Sequence, residues 1–227
     1  TSLLPPSGRA AKKSSKAALG PKAWSQAWAS PLLRIITLST ATMVLLRYGL
    51  RIVSLEEIRL AFDRDADQVA AFLGLFSVLG NAIAFVLGIW LVPRLLQRVG
   101  ISAANLLYAT STVAAFVGTW LFPSLASASA ARFVEMPLKH ALKTPISVLF
   151  YGAESQSMRL AGRSLIFGLA IPAATIVAGL SFRHLAAHYL IMSVSGAALG
   201  AWFVGVCHWQ NCRYHQRRQL RSTETSS

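Results

Sequence analysis

Arg132, Glu135, Lys139 and Lys143 stand three, four and four residues apart within the stretch SLASASAARFVEMPLKHALKTPISVLFY. On a helix turning about 100° per residue they fall within about 80° of one another, as one charged stripe. Glu135 is spaced to pair with Arg132 before it or Lys139 after it. Two positive groups are left over, Lys143 and one of the other pair. Such a set suits holding an anion, or finding a carboxylate on another helix such as Glu57. It does not suit making or breaking bonds. The chain has no glycine-rich phosphate loop, no zinc motif and no nucleophile elbow, so neither an enzyme nor a cofactor is expected. Pro137 lies inside the stripe and predicts a kink that frees a carbonyl near Phe133.

The surroundings make this stripe costly. Of the 227 residues, 54% are hydrophobic and 13% charged, against about a quarter charged in a soluble domain. Uncharged runs cover Val69 to Val92, Ile101 to Ala131, Leu165 to Phe182 and Leu185 to His208. Runs of about 18 or more apolar residues read as membrane-spanning helices. A charge at mid-bilayer costs about 2.5–3.5 kcal/mol on insertion scales, so the stripe must face protein or a water-filled cavity. The net charge of +14 gathers in tails and loops beside the apolar runs. That is the pattern of a membrane topology rather than of nucleic-acid binding.

The patterning predicts an all-α membrane protein with six spans, over Pro31–Phe62, Val69–Val92, Ile101–Phe122, Ser124–Tyr151, Ser164–Phe182 and Leu185–Trp209. Basic connections are expected at 93–100 and 152–163, and an acidic loop at 63–67. Residues 1–30 read as a basic disordered segment, 31–209 as the transmembrane domain and 210–227 as a basic disordered tail. A start at Thr rather than Met reads as a processed, trimmed or fragmentary terminus. The basic segments all fall on one side, which puts both termini on the cytoplasmic face of a bacterial inner membrane or an organelle inner membrane. Arg47 and Arg51 share a face of the first span, and two readings stay open for them: snorkelling to the outer interface, or lining a cavity. Pro172 predicts a kink in the fifth span, and Gly74, Gly80 and Gly88 permit close packing of the second. Cys207 and Cys212 imply neither a disulfide framework nor a metal site.

The segment Arg132-Phe-Val-Glu135, with Lys139-His-Ala-Leu142, Pro145 and Leu149-Phe-Tyr151, resembles the fourth helix of the C-terminal half of ATP/ADP-translocase-like transporters. These are nucleotide exchangers related to the major facilitator superfamily. Phe62-Asp-Arg-Asp-Ala-Asp67 with Ala71-Phe-Leu-Gly-Leu-Phe76 is similar to that family's outer loop and second helix. Pro93 to Gly100 is similar to its inner turn, and Arg159, Arg163, Gly168, Pro172 and Ala178-Gly-Leu180 match its fifth helix in kind. The resemblance covers about Phe62 to Leu180. Arg47, Arg51, Glu56 and Glu57 in the first span depart from the pattern.

The resemblance implies one half of a major-facilitator-type fold, in which two six-helix halves exchange nucleotides by alternating access. By motif it carries over Arg132, Glu135, Lys139 and Arg163 as cavity or gating residues, Arg163 as the gate. The cavity set then comprises Arg132, Glu135, Lys139, Lys143, Arg47 and Arg51. The expected function is transport of an anionic solute, nucleotides among them. The expected partners are the lipid bilayer and a second six-helix half, supplied by more of the chain, a partner subunit or a second copy. The alternative is a transporter-derived structural subunit in a larger membrane complex.

Overall fold

A computed structural model describes residues 21–185 and 189–224, and among them there are helices and short connections but no strand. In chain order these are α1 (Pro21–Ala29), α2 (Pro31–Ala61), α3 (Ala66–Val86), α4 (Val92–Leu121), α5 (Leu125–Phe133), α6 (Thr144–Gly152), α7 (Gln156–Leu165), α8 (Ile171–Leu185) and α9 (Tyr189–Glu224). Wide π-type turns join α3 to α4 (Leu87–Leu91), α5 to α6 (Val134–Lys143) and α7 to α8 (Ile166–Ala170).

Each wide turn lies at a proline. Pro93 follows the first, Pro137 sits inside the second, and Pro172 follows the third. Proline has no N–H for the carbonyl four residues back, and its ring pushes that carbonyl away. A wider turn relieves the clash without ending the helix. The kinks expected at Pro137 and Pro172 thus take the form of π-type stretches.

Four helical stretches are long and apolar enough to cross a membrane: Pro31–Ala61, Ala66–Leu121, Gln156–Phe182 and Ile191–Gln219. The second runs 56 residues, about 84 Å if straight, well over one hydrocarbon thickness of about 30 Å. It breaks at Gly100, whose φ of 78° and ψ of 169° are open to glycine alone at no cost. Leu125–Gly152 is not among the four, because Arg132, Glu135, Lys139 and Lys143 interrupt it.

Four segments expected to be irregular are helical in whole or in part. The basic turn at 93–100 is α4 up to its break at Gly100, with Arg94 stacked 4.3 Å above the Trp90 ring. The connection expected at 152–163 shrinks to Ala153–Ser155, because Gln156–Leu165 buries Ala161, Gly162 and Leu165 on one face. The tail expected to be disordered from 210 continues α9 to Glu224. No proline or glycine interrupts it, and Tyr214 is buried edge-on against Phe150 at 5.0 Å. Within the expected N-terminal disorder, Pro21–Ala29 forms α1, pinned where Trp24 Nε1 donates to Ser164 Oγ at 2.7 Å. The reading of residues 1–20, and of part of the turn after Arg183, lies outside the described residues.

α9 packs along both α2 and α4 and lies between them at the centre of the bundle. Their shared core holds Leu33, Leu46, Leu50, Tyr108, Phe116 and Phe203, all fully buried. Leu75, Val78, Phe85, Ile89 and Trp90 along α3 and its wide turn are exposed instead. In lipid such side chains lose nothing by staying outside, so helix association rests on packing and on polar contacts between helices. Gly80 supplies one close approach: a Cβ there would lie 2.9 Å from Pro137 Cγ. Gly74 and Gly88 meet nothing within 4 Å and serve no such contact among the described residues.

Candidate functional site

The stripe does not face one cavity. The wide turn at Val134–Lys143 changes the residue spacing per turn and divides it into three groups.

The first group is centred on Glu135, 5% exposed. Arg132 Nη1 donates to its Oε2 at 2.9 Å, one turn earlier on the same helix. Arg47 Nη2 reaches its Oε1 at 3.2 Å from α2, and Arg47 Nε donates to the Glu135 backbone carbonyl at 3.1 Å. Each carboxylate oxygen thus takes one guanidinium, and neither is left for Lys139. The expected pair of Glu135 with Arg132 forms. Lys139, the other expected partner, makes no ion pair among the described residues. Arg47 takes its place. Arg51 lies beside them with Tyr48, lining a small cleft of about 60 Å³. The two readings for these arginines separate: Arg47 turns into the protein, while Arg51 stays exposed.

Lys143 forms the second group. Its ammonium is 3% exposed and has no carboxylate partner among the described residues, Glu57 included. Nζ donates to Asn105 Oδ1 at 2.6 Å and to Ser39 Oγ at 3.5 Å, lies 3.9 Å from Cys207 Sγ, and sits 5.4 Å from the centre of the Phe203 ring. Asn105 Nδ2 passes the chain on to Asn211 Oδ1 at 3.2 Å, and Asn211 Nδ2 donates to the Ser102 carbonyl at 2.9 Å. This knot ties α2, α4, α9 and the wide turn together through neutral dipoles. Sequence reasoning missed Asn105, Ser39 and Asn211. Asn105 left a signal, as the one amide side chain in the uncharged run from Ile101 to Ala131.

The third group is a cavity of about 400 Å³ between α2, the wide turn at Val134–Lys143, α6, α7 and the wide turn that leads into α8. Lys139, His140, Lys143, Arg163, Thr40, Thr144, Ser147 and Tyr151 give it its polar lining, and Met43, Val148, Ile166, Phe167 and Ile171 its apolar one. No carboxylate lines it. The Arg163 guanidinium lies 5.5 Å from the centre of the Tyr151 ring, within cation–π range. Of the seven residues singled out in the sequence, three converge here: Lys139, Lys143 and Arg163. Arg132, Glu135, Arg47 and Arg51 lie outside it. Arg163, expected at a gate, lines the same cavity as Lys139. Hydroxyl donors and cations without a balancing acid make a lining suited to an anion. The Sγ of Cys212 lies 3.8 Å from His208 Nε2, and no group of three metal-ligating side chains occurs among the described residues.

Outside the helical spans, Asp65 caps α3. Its Oδ1 accepts from the backbone N–H of Asp67 at 2.9 Å and of Gln68 at 3.2 Å. These backbone hydrogen bonds hold its carboxyl below the ordinary value of 3.8. Asp63 and Arg64 just before it adopt left-handed backbone, with φ of 50° and 62°, a cost partly offset where Arg64 Nη2 meets Glu56 Oε1 at 3.2 Å. Arg59 also pairs with Glu56, at 3.9 Å, as their spacing predicts.

No family model, no curated protein and no solved structure matches the chain.

Proposed function

We propose that the chain is a six-helix half of a membrane transporter for an anionic solute, working by alternating access. The single observation that carries this is the cavity lined by Lys139, His140, Lys143 and Arg163 with no carboxylate. Three cations in a low-dielectric pocket favour a ligand that brings its own negative charge. The cavity's size lies in the ordinary range for small-molecule sites, and its wall is built on helices interrupted at Pro137 and Pro172, as transporter sites often are. Under this reading the break at Gly100 separates two spans. The charged stretch Leu125–Gly152 is a further span, shielded from lipid by its neighbours, and the count reaches six. A second half then closes the cavity from the other side. The resemblance to ATP/ADP-translocase-like exchangers makes nucleotides the first solutes to test.

Reconstituted into liposomes with whatever half completes it, the protein should take up a labelled nucleotide in exchange for an internal one. Lys139→Ala and Arg163→Ala should each lower that uptake about tenfold, the loss expected for one charge-assisted hydrogen bond. Unchanged uptake in both variants would remove the cavity from consideration.

One observation favours a second reading, that of a structural subunit in a larger membrane complex. Glu135 and Lys143, the two most buried members of the stripe, are engaged by neighbouring helices within the chain. A stable assembly with unrelated subunits, and no thermal stabilisation by any anion, would decide for that reading.

A further inference from the structure

A second pocket, of about 370 Å³, is lined by residues of α1, α2, α7 and α9 and the connection before α7. It lies where α1 passes into α2, beside the connection before α7 and the far end of α9. Ser30, Glu154, Arg213, Gln216 and Arg217 line it, with an apolar wall that includes Leu32 and Met158. Glu154 is 1% exposed. Its Oε1 accepts from Ser30 Oγ at 2.8 Å. Its Oε2 is buried, forms a long ion pair with Arg217 Nη2 at 3.6 Å, and accepts no hydrogen bond. A buried carboxylate oxygen without a donor is costly, and such groups mark a missing partner. Arg213 has the opposite lack: its Nη1 donates only to the neutral Gln216 Oε1 at 3.2 Å, and no carboxylate pairs with it among the described residues.

The pocket therefore offers an acceptor for a small cation and a donor for an anion at the same time. Its depth is marked by Trp28 and Trp209, both exposed, each within four residues of a lining residue. Exposed tryptophans favour the boundary between hydrocarbon and headgroups. We propose that this pocket binds the headgroup of a zwitterionic phospholipid carrying a primary ammonium, of the phosphatidylethanolamine type. The ammonium donates to Glu154 Oε2, the phosphate accepts from Arg213, and the glycerol end rests on Leu32 and Met158. A trimethylated ammonium has no N–H to give, so a phosphatidylcholine headgroup leaves Oε2 unsatisfied. An anionic headgroup without an amine has no N–H to give Oε2 and leaves it with the long Arg217 ion pair alone.

The test uses the full chain in detergent micelles, titrated with short-chain phosphatidylethanolamine, phosphatidylcholine or phosphatidylglycerol, and with soluble phosphoethanolamine. Bound lipid is counted by native mass spectrometry and thermal stability followed in parallel. The expected result is phosphatidylethanolamine binding about tenfold tighter than either other lipid, with that preference lost in Glu154→Gln. Met158→Trp narrows the pocket without touching its charges. It should abolish the same preference, and covers the case in which Glu154→Gln fails to fold. Equal binding of the three lipids, or a preference surviving both variants, would overturn the proposal. Phosphoethanolamine binding as tightly as the lipid would overturn its assignment to a membrane source.

Discussion

Arg47 holds Glu135 at two points, through the carboxylate at 3.2 Å and through the backbone carbonyl at 3.1 Å. The first contact balances a charge. The second fixes the backbone of the wide turn against α2. Arg47→Ala and Glu135→Gln should each lower the stability of the protein in detergent, by about 1–3 kcal/mol, because each removes one of the charge-assisted hydrogen bonds that satisfy this half-buried cluster. The double variant should cost less than the sum of the two, with a coupling of about 0.5–3 kcal/mol in a chemical-denaturation cycle.

Lys143 separates stability from activity. Its ammonium is desolvated and bound by neutral acceptors alone, so Lys143→Met keeps the volume and removes the charge. Thermal melting should show only a small change, because the relieved desolvation of the ammonium offsets the loss of the donor to Asn105 Oδ1. Anion uptake should fall in the same variant. Lys143→Glu should unfold the knot, since a buried carboxylate would then face the Asn105 Oδ1 acceptor with no ammonium donor between them.

Gly80 in α3 and Gly88 in the wide turn that follows should respond in opposite ways. Gly80→Ala places a methyl 2.9 Å from Pro137 Cγ, and overpacking of this kind costs about 1–3 kcal/mol. Gly88→Ala meets nothing within 4 Å and should stabilise by about 0.4–1 kcal/mol through the loss of unfolded-state freedom. Melting temperatures of the two single variants, measured side by side, check both signs.

The Asp65 cap should respond to acid. Its carboxyl is held below 3.8 by two backbone N–H donors. A group whose folded value is depressed contributes stability above its unfolded value and loses it as pH falls through the folded one. The N-terminal turn of α3 should therefore loosen below about pH 4. Amide exchange at Asp67 and Gln68 should speed up there, and Asp65→Asn should remove most of that pH dependence.

Much of the helical layout was legible in the sequence, because runs such as Ile101 to Ala131 carry their meaning in length and composition alone. Ser30-Pro31 marked the start of α2 within a residue, since a serine cap and a first-turn proline act locally. The connections were harder to read. Arg159 and Arg163 look like a loop when their charge is weighed alone, yet they ride a helix whose other face packs inside. The stripe was visible as four charges at helical spacing. Its division was not, because a regular helix turns about 100° per residue and the chain through Pro137 does not. Arg47 and Asn105 lie 88 and 38 residues from the groups they bind, a distance over which no local pattern carries information.

A wide turn is, in effect, one extra residue threaded into a helix. The ten residues Val134–Lys143 therefore act as a phase shifter, rotating all that follows relative to all that precedes. Shortening that stretch by a single residue would leave every charge of the stripe in place and alter which helices Lys143 and Arg132 address. The same composition would then describe a different interior. An insertion or deletion here is a more drastic change to the site than the replacement of any one of its side chains.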